Sequence, residues 1–85
     1  MSWKVLLHPK VEKQLKHFPK KDIKRIEITL NQLEINPYLG DIEKMEGEEN
    51  VWRRRVGSYR IFYELFVKKQ IVFVFRIERR TSITY

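Results

Sequence analysis

The chain has 85 residues, 42% of them hydrophobic, and a formal net charge of +7. That length supports one domain around a single small core and excludes a second. It contains no cysteine, which excludes a disulfide framework and a thiolate zinc site, and no run approaches the ~20 apolar residues of a membrane span.

Trp3 to Leu7 is short and apolar and reads as a strand. It is too brief for a signal peptide, and Pro9 closes it; a cytoplasmic protein is expected. His8-Pro9 then opens a helix, because proline is tolerated where the first-turn N–H has no partner. Val11, Leu15 and Phe18 recur along one face of that helix, with Lys10, Lys13 and Lys16 outside. After Pro19 a second helix is predicted from about Lys20 to Glu34. Its apolar set, Ile23, Ile26, Leu30 and Leu33, keeps helical spacing until Asn36-Pro37 stops it. The polar stretch from Tyr38 to Asn50, with Gly40, Gly47 and many acids, reads as a loop.

The period then changes from helical to alternating. Val51 to Val56, Tyr59 to Phe66 and Gln70 to Ile77 read as strands, joined by a tight turn at Gly57-Ser58 and another around Lys68-Lys69. Connections this short imply an antiparallel meander. On the middle strand Tyr59, Ile61, Tyr63 and Leu65 share one face, and Arg60, Phe62, Glu64 and Phe66 the other. The expected class is α+β in a single domain over residues 1–85, ordered β-α-α-β-β-β. A helical hairpin packs on one face of a mainly antiparallel four-stranded sheet, leaving the other face free to bind.

The charge is informative once located. Residues 1–50 carry nine Lys or Arg and nine Asp or Glu, whereas residues 51–85 carry nine basic residues against only Glu64 and Glu78. The whole +7 therefore sits in the last 35 residues, as a polyanion site would place it. Seven of those nine are arginine, whose planar fork grips phosphate and stacks on bases. Arginine-rich edge strands also discourage aggregation, so charge alone leaves that reading open.

No metal site or cofactor motif is visible. His8 and His17 stand on different elements, the acids lack ligand spacing, and three glycines make no phosphate-cradling loop. A serine triad would have to join Ser2, Ser58 or Ser82 to a distant histidine. What remains is basic and aromatic: Trp52, Arg53, Arg55, Tyr59, Arg60, Arg80 and Tyr85. RNA can be cut with such a set, because its 2′-hydroxyl is a built-in nucleophile that needs only orientation. Fixed guanidinium groups then stabilise charge growing on the phosphoryl oxygens. The same residues could equally bind phosphates and stack bases without cutting. Trp52, Tyr59 and Tyr63 are expected in the core rather than as stacking platforms, and Arg54 is expected to point away from Arg53 and Arg55.

The segment from Val51 to Tyr63, VWRRRVGSYRIFY, resembles the YRxRxGxYRxxY motif of the RelE/ParE toxin superfamily. The strand Ile71-Val72-Phe73-Val74-Phe75, followed by Arg79-Arg80 and the closing Tyr85, is similar to that family's ending. The opening HPKVEKQLKHFPK is similar to its strand and helical hairpin, so the resemblance spans essentially the whole chain. It implies the toxin of a type II toxin–antitoxin system: an endoribonuclease that cleaves mRNA in the ribosomal A site and is neutralised by a cognate antitoxin protein. By that resemblance Arg60 holds the scissile phosphate and Arg80 acts as general acid or stabilises the leaving group. Tyr85 activates the 2′-hydroxyl or stacks on a base, and Arg53 and Arg55 bind RNA. Arginine stands at 53 and 55 where relatives carry Lys or Arg, and a guanidinium with pKa above ~12 hardly releases a proton. The alternatives are a ParE-type toxin that poisons DNA gyrase without cutting RNA, and an RNA-binding member without catalysis.

Overall fold

In the computed structural model, which describes residues 2–79, the chain opens with strand β1 (Lys4–Leu7) and turns directly into helix α1 (Pro9–Leu15). His8 caps that helix: its Nδ1 accepts from the Lys10 N–H at 3.0 Å, and Pro9 occupies the first turn. Helix α2 (Lys20–Ile35) follows Pro19, and Asn36 closes it in extended backbone. Strands β2 (Ile42–Lys44), β3 (Val51–Val56), β4 (Tyr59–Phe66) and β5 (Ile71–Arg79) complete a five-stranded sheet ordered β1-β5-β4-β3-β2. All neighbours are antiparallel except β1, which runs parallel to β5. Among the described residues no helix is long and apolar enough to cross a membrane.

Strand β2 corrects the expectation of a loop from Tyr38 to Asn50 and of four strands. Three residues, Ile-Glu-Lys, are too few to display a two-residue period. The strand forms because the edge of β3 offers it backbone partners and because Glu43 lies opposite Arg53, which donates to its carboxylate. The other elements fall near where the hydrophobic pattern places them, except that α1 ends at Leu15, before Phe18, and β5 runs from Ile71 on to Arg79.

The helices cover one face of the sheet. Val11, Ile26 and Leu33 meet Val56, Tyr59, Ile61, Tyr63, Leu65, Val72, Val74 and Ile77, all nearly inaccessible to solvent. Ile23 and Leu30 complete the stripe on α2 but keep partial exposure. Two tyrosines tie the layers together by hydrogen bonds. The Tyr59 hydroxyl donates to Asp22 at the start of α2, and the Tyr63 hydroxyl donates to the Pro37 carbonyl beyond its end, both at 2.6 Å.

Strand β5 carries a bulge. Tyr63 pairs with Val74 but Phe62 pairs with Arg76, so Phe75 has no partner on β4. An extra residue reverses the phase of everything after it. Val72 and Val74 face the helices before the bulge, and Ile77 does so after it. Strict alternation would have sent Ile77 into solvent and Arg76 into the core.

Leu33→Ala should cost about 2–5 kcal/mol by opening a cavity at a fully buried site, measured by urea denaturation. Burial pushes the Tyr63 hydroxyl up from 10.0 to about 12, so the fold favours the neutral phenol. Its contribution is complete below about pH 10 and is lost as pH rises through about 12. Stability should fall across that window, and Tyr63→Phe should flatten the fall while lowering stability at neutral pH by about 1 kcal/mol for the lost hydrogen bond.

Candidate functional site

The hairpin β3–β4 builds the site. Gly57-Ser58 joins the strands in two residues, and only the first of them, Gly57 at φ +58°, has positive φ, a pattern that suits a tight hairpin with glycine leading. A side chain there would also meet the Arg25 guanidinium, 2.7 Å from where its Cβ would lie. This turn fixes the pairs Val56 with Tyr59, Arg55 with Arg60, Arg54 with Ile61 and Arg53 with Phe62. Alternation then separates the side chains. Trp52, Arg54, Val56, Tyr59, Ile61 and Tyr63 go toward the helices, while Arg53, Arg55 and Arg60 emerge together on the uncovered face.

Those three arginines line one open depression of about 210 Å³, with Asp41, Ile42 and Glu43 forming its other wall. Glu43 accepts from Arg53, and Asp41 Oδ2 lies 3.3 Å from Arg55 Nε. These carboxylates, in the acid-rich stretch expected to be a loop, line the same depression. The signal that could have found them is the run of acids immediately before the arginine strand, within reach of a hairpin fold-back. Both acids are about two-thirds exposed, and pairs of that kind are worth at most about 1 kcal/mol.

Arg60 differs from its neighbours. Its cross-strand partner on β5 is Glu78, yet the Glu78 carboxylate is engaged by Arg76. Arg76 in turn lies over the Phe62 ring, 5.4 Å from its centroid. Among the described residues Arg60 has no carboxylate partner, so its guanidinium is the one in the depression left for an incoming anion. Arg80 and Tyr85, the other two candidates for chemistry, lie outside the described residues.

Arg54 turns the other way, as alternation predicts, and serves the fold. Its Nη2 donates to Gln32 Oε1 at 2.6 Å and its Nη1 to the Leu39 carbonyl at 3.1 Å. Gly40 admits the guanidinium: a Cβ there would lie 2.5 Å from Arg54 Cζ, and φ is +97°. Trp52, Tyr59 and Tyr63 are packed against or within the core, as expected. Tyr59 packs against Phe18 with ring centroids 4.9 Å apart and the planes tilted by 36°, and is covered by Arg79 at 5.7 Å. Burial, reinforced by its bond to Asp22, raises its hydroxyl pKa.

Comparison with known proteins finds similarity over most of the chain. A family model described as "ParE toxin of type II toxin-antitoxin system, parDE" matches residues 5–83. Two relatives come from Methanocaldococcus jannaschii. "Putative toxin RelE1" is 30% identical over 83 residues, covering 94% of this chain and 92% of its own, and "Toxin RelE3" is 36% identical over 84 residues, covering 94% and 93%. A chain of the archaeal RelE–RelB complex from Pyrococcus horikoshii superposes with a TM-score of 0.85 at 27% identity, covering 98% of this chain and 100% of that one. Isolated E. coli RelE superposes at 0.82 with 14% identity over 95% and 87% of the two chains, a likeness of fold.

The opposite faces of β3 should separate on mutation. Arg54→Ala is expected to cost about 1–2 kcal/mol of stability through its lost charged hydrogen bonds, and Gly40→Ala about 1–3 kcal/mol through strain at positive φ. Because Gly40→Ala acts partly by displacing the Arg54 head, its cost should shrink in the Arg54→Ala background, as read from a double-mutant cycle of urea unfolding.

Proposed function

This chain belongs to the RelE/ParE family of toxins of type II toxin–antitoxin systems, and from that membership we propose that it is a metal-independent endoribonuclease acting on mRNA at the ribosomal A site. The observation that carries the reading is the convergence of Arg53, Arg55 and Arg60 on one open depression in which Arg60 alone, among the described residues, lacks a carboxylate.

In the proposed reaction the RNA 2′-oxygen attacks the adjacent phosphorus and the bond to the 5′-oxygen breaks. The products are a 2′,3′-cyclic phosphate and a 5′-hydroxyl. The 2′-hydroxyl proton leaves to a base and the departing 5′-oxygen gains one. Arg60 would bind the non-bridging oxygens and stabilise them as their charge grows. Arg53 and Arg55 would exchange Glu43 and Asp41 for flanking phosphates, which orients the strand. Arg80 would support the leaving oxygen and Tyr85 the attacking hydroxyl or a stacked base. With guanidinium groups at 53 and 55, neither suits the role of base, so those two arginines bind rather than transfer protons.

The partner is a cognate antitoxin. Relatives have been solved as complexes with RelB proteins, among them those of Pyrococcus horikoshii and Methanococcus jannaschii. A second reading, gyrase poisoning, is favoured by one observation: the matching family model carries the ParE description.

Primer extension on message in a translating cell-free extract tests both. Discrete cuts within codons are expected, and Arg60→Ala should reduce cleavage by about a hundredfold or more with no change in thermal unfolding. Intact message together with trapped gyrase–DNA complexes would replace the nuclease reading by the second. Full cleavage by Arg60→Ala would remove Arg60 from the chemistry.

A further inference from the structure

The uncovered face of the sheet has two ends of different character. Arg60 stands near the start of β4 and Phe66 at its end, about 20 Å apart at strand rise. Around Phe66 the face is apolar. Leu6, Phe66, Ile71 and Phe73, with Lys69, line a depression of about 290 Å³, and Leu6 and Phe66 keep 40% and 42% of their surface in solvent. Strand alternation puts Leu6 here, because its neighbours Val5 and Leu7 pack against the core on the other face.

We propose that this apolar end is the anchoring surface for the antitoxin, which seats the apolar side of an acidic amphipathic segment on it, away from the arginine depression. The proposal rests on the antitoxin reading above and adds the place and chemistry of contact. Three observations select that occupant. Leu6 and Ile71 are aliphatic and offer nothing to a phosphate backbone, while Glu48 and Glu64 line the adjoining depression toward the middle of the sheet and would repel one. Arg76 also lines that depression but is paired with Glu78, so the apolar floor, rather than charge, makes RNA the poorer fit at this end. The outer rim is cationic: Lys4 lies opposite Ile71 on the edge strand, and Lys68 and Lys69 occupy the 3-10 turn that follows Phe66. A second copy of this chain would bring two such lysine rims into one two-fold interface, with +7 on each chain. A polypeptide with apolar anchors flanked by acids satisfies both the groove and its rim, and buried apolar anchors carry most interface energy.

The test uses the full chain and its cognate antitoxin polypeptide, with affinity measured by titration calorimetry. Leu6→Glu/Phe66→Glu should weaken binding on the order of thirtyfold or more, and Leu6→Lys/Phe66→Lys should weaken it less, because lysine extends the cationic rim. Phe66→Ala, a milder change at an exposed site, should weaken binding severalfold and guards against misfolding of the double variants, which thermal unfolding monitors. Cleavage of message by the Glu variant should stay within about twofold of wild type, since about 20 Å exceeds the screening length at physiological salt. Undiminished affinity in a folded Glu variant would overturn the docking surface while leaving the antitoxin reading intact. Equal losses for Glu and Lys would overturn the acidic character of the segment. A dimer of the free chain broken by the Glu variant, with antitoxin binding unchanged, would assign the surface to self-association instead. A wild-type chain that binds no antitoxin would overturn the partner itself and this surface with it, whatever the result for RNA cleavage.

Discussion

Everything in this molecule depends on the register of one hairpin. Gly57 and Ser58 close β3 onto β4 in two residues, and the period of a strand is two, so the turn decides at once which side chains meet the helices and which do not. With Val56 opposite Tyr59, the core receives Val56, Tyr59, Ile61 and Tyr63, and the solvent face receives Arg53, Arg55 and Arg60. A one-residue slip that turned β4 over would bury Arg60 and expose Tyr59 and Tyr63, and one that turned β3 over would bury Arg53 and Arg55. The same alternation that assembles the core therefore gathers the cations, so the core and the proposed site are specified by a single constraint.

Gathering like charges has a cost, and the structure offsets it locally. Three arginines around one depression repel one another, and the short strand β2 brings Asp41 and Glu43 alongside two of them. Exposed pairs of this kind contribute little to stability, so they shield without locking. In the proposed reaction they would keep the two arginines oriented toward the depression until phosphate replaced them. Arg60 receives no such shield among the described residues, because Arg76 occupies Glu78. The bulge at Phe75 makes that arrangement available: it places Arg76 beside Glu78 on the uncovered face and returns Ile77 to the core.

Both proposed partners of this toxin can be accommodated on that face because its chemistry changes along the strands. One end offers guanidinium groups to phosphate, the other offers aliphatic and aromatic surface rimmed by lysine to a polypeptide. An antitoxin anchored at the apolar end would reach the arginines only by extending along the sheet, so anchoring and obstruction of the arginine depression become separable contributions.

Much of this was legible in the residues themselves. The helical stripe Ile23, Ile26, Leu30, Leu33, the alternation from Tyr59 to Leu65, the Gly57-Ser58 turn and the concentration of arginine after residue 50 sufficed for the layers, the hairpin and the grouping of Arg53, Arg55 and Arg60, because short-period patterns are local and survive without knowledge of neighbours. Tertiary structure alone decided the rest. Strand β2 exists because a neighbouring edge is there to pair with, and three residues carry no period of their own. The bulge reverses the facing of Arg76, Ile77 and Glu78, and it is visible only as a mismatch between two strands. Which carboxylate joins which arginine, and hence which arginine is left for an anion, depends on side chains far apart in sequence competing for the same partner, and distance in space is what a linear chain does not record.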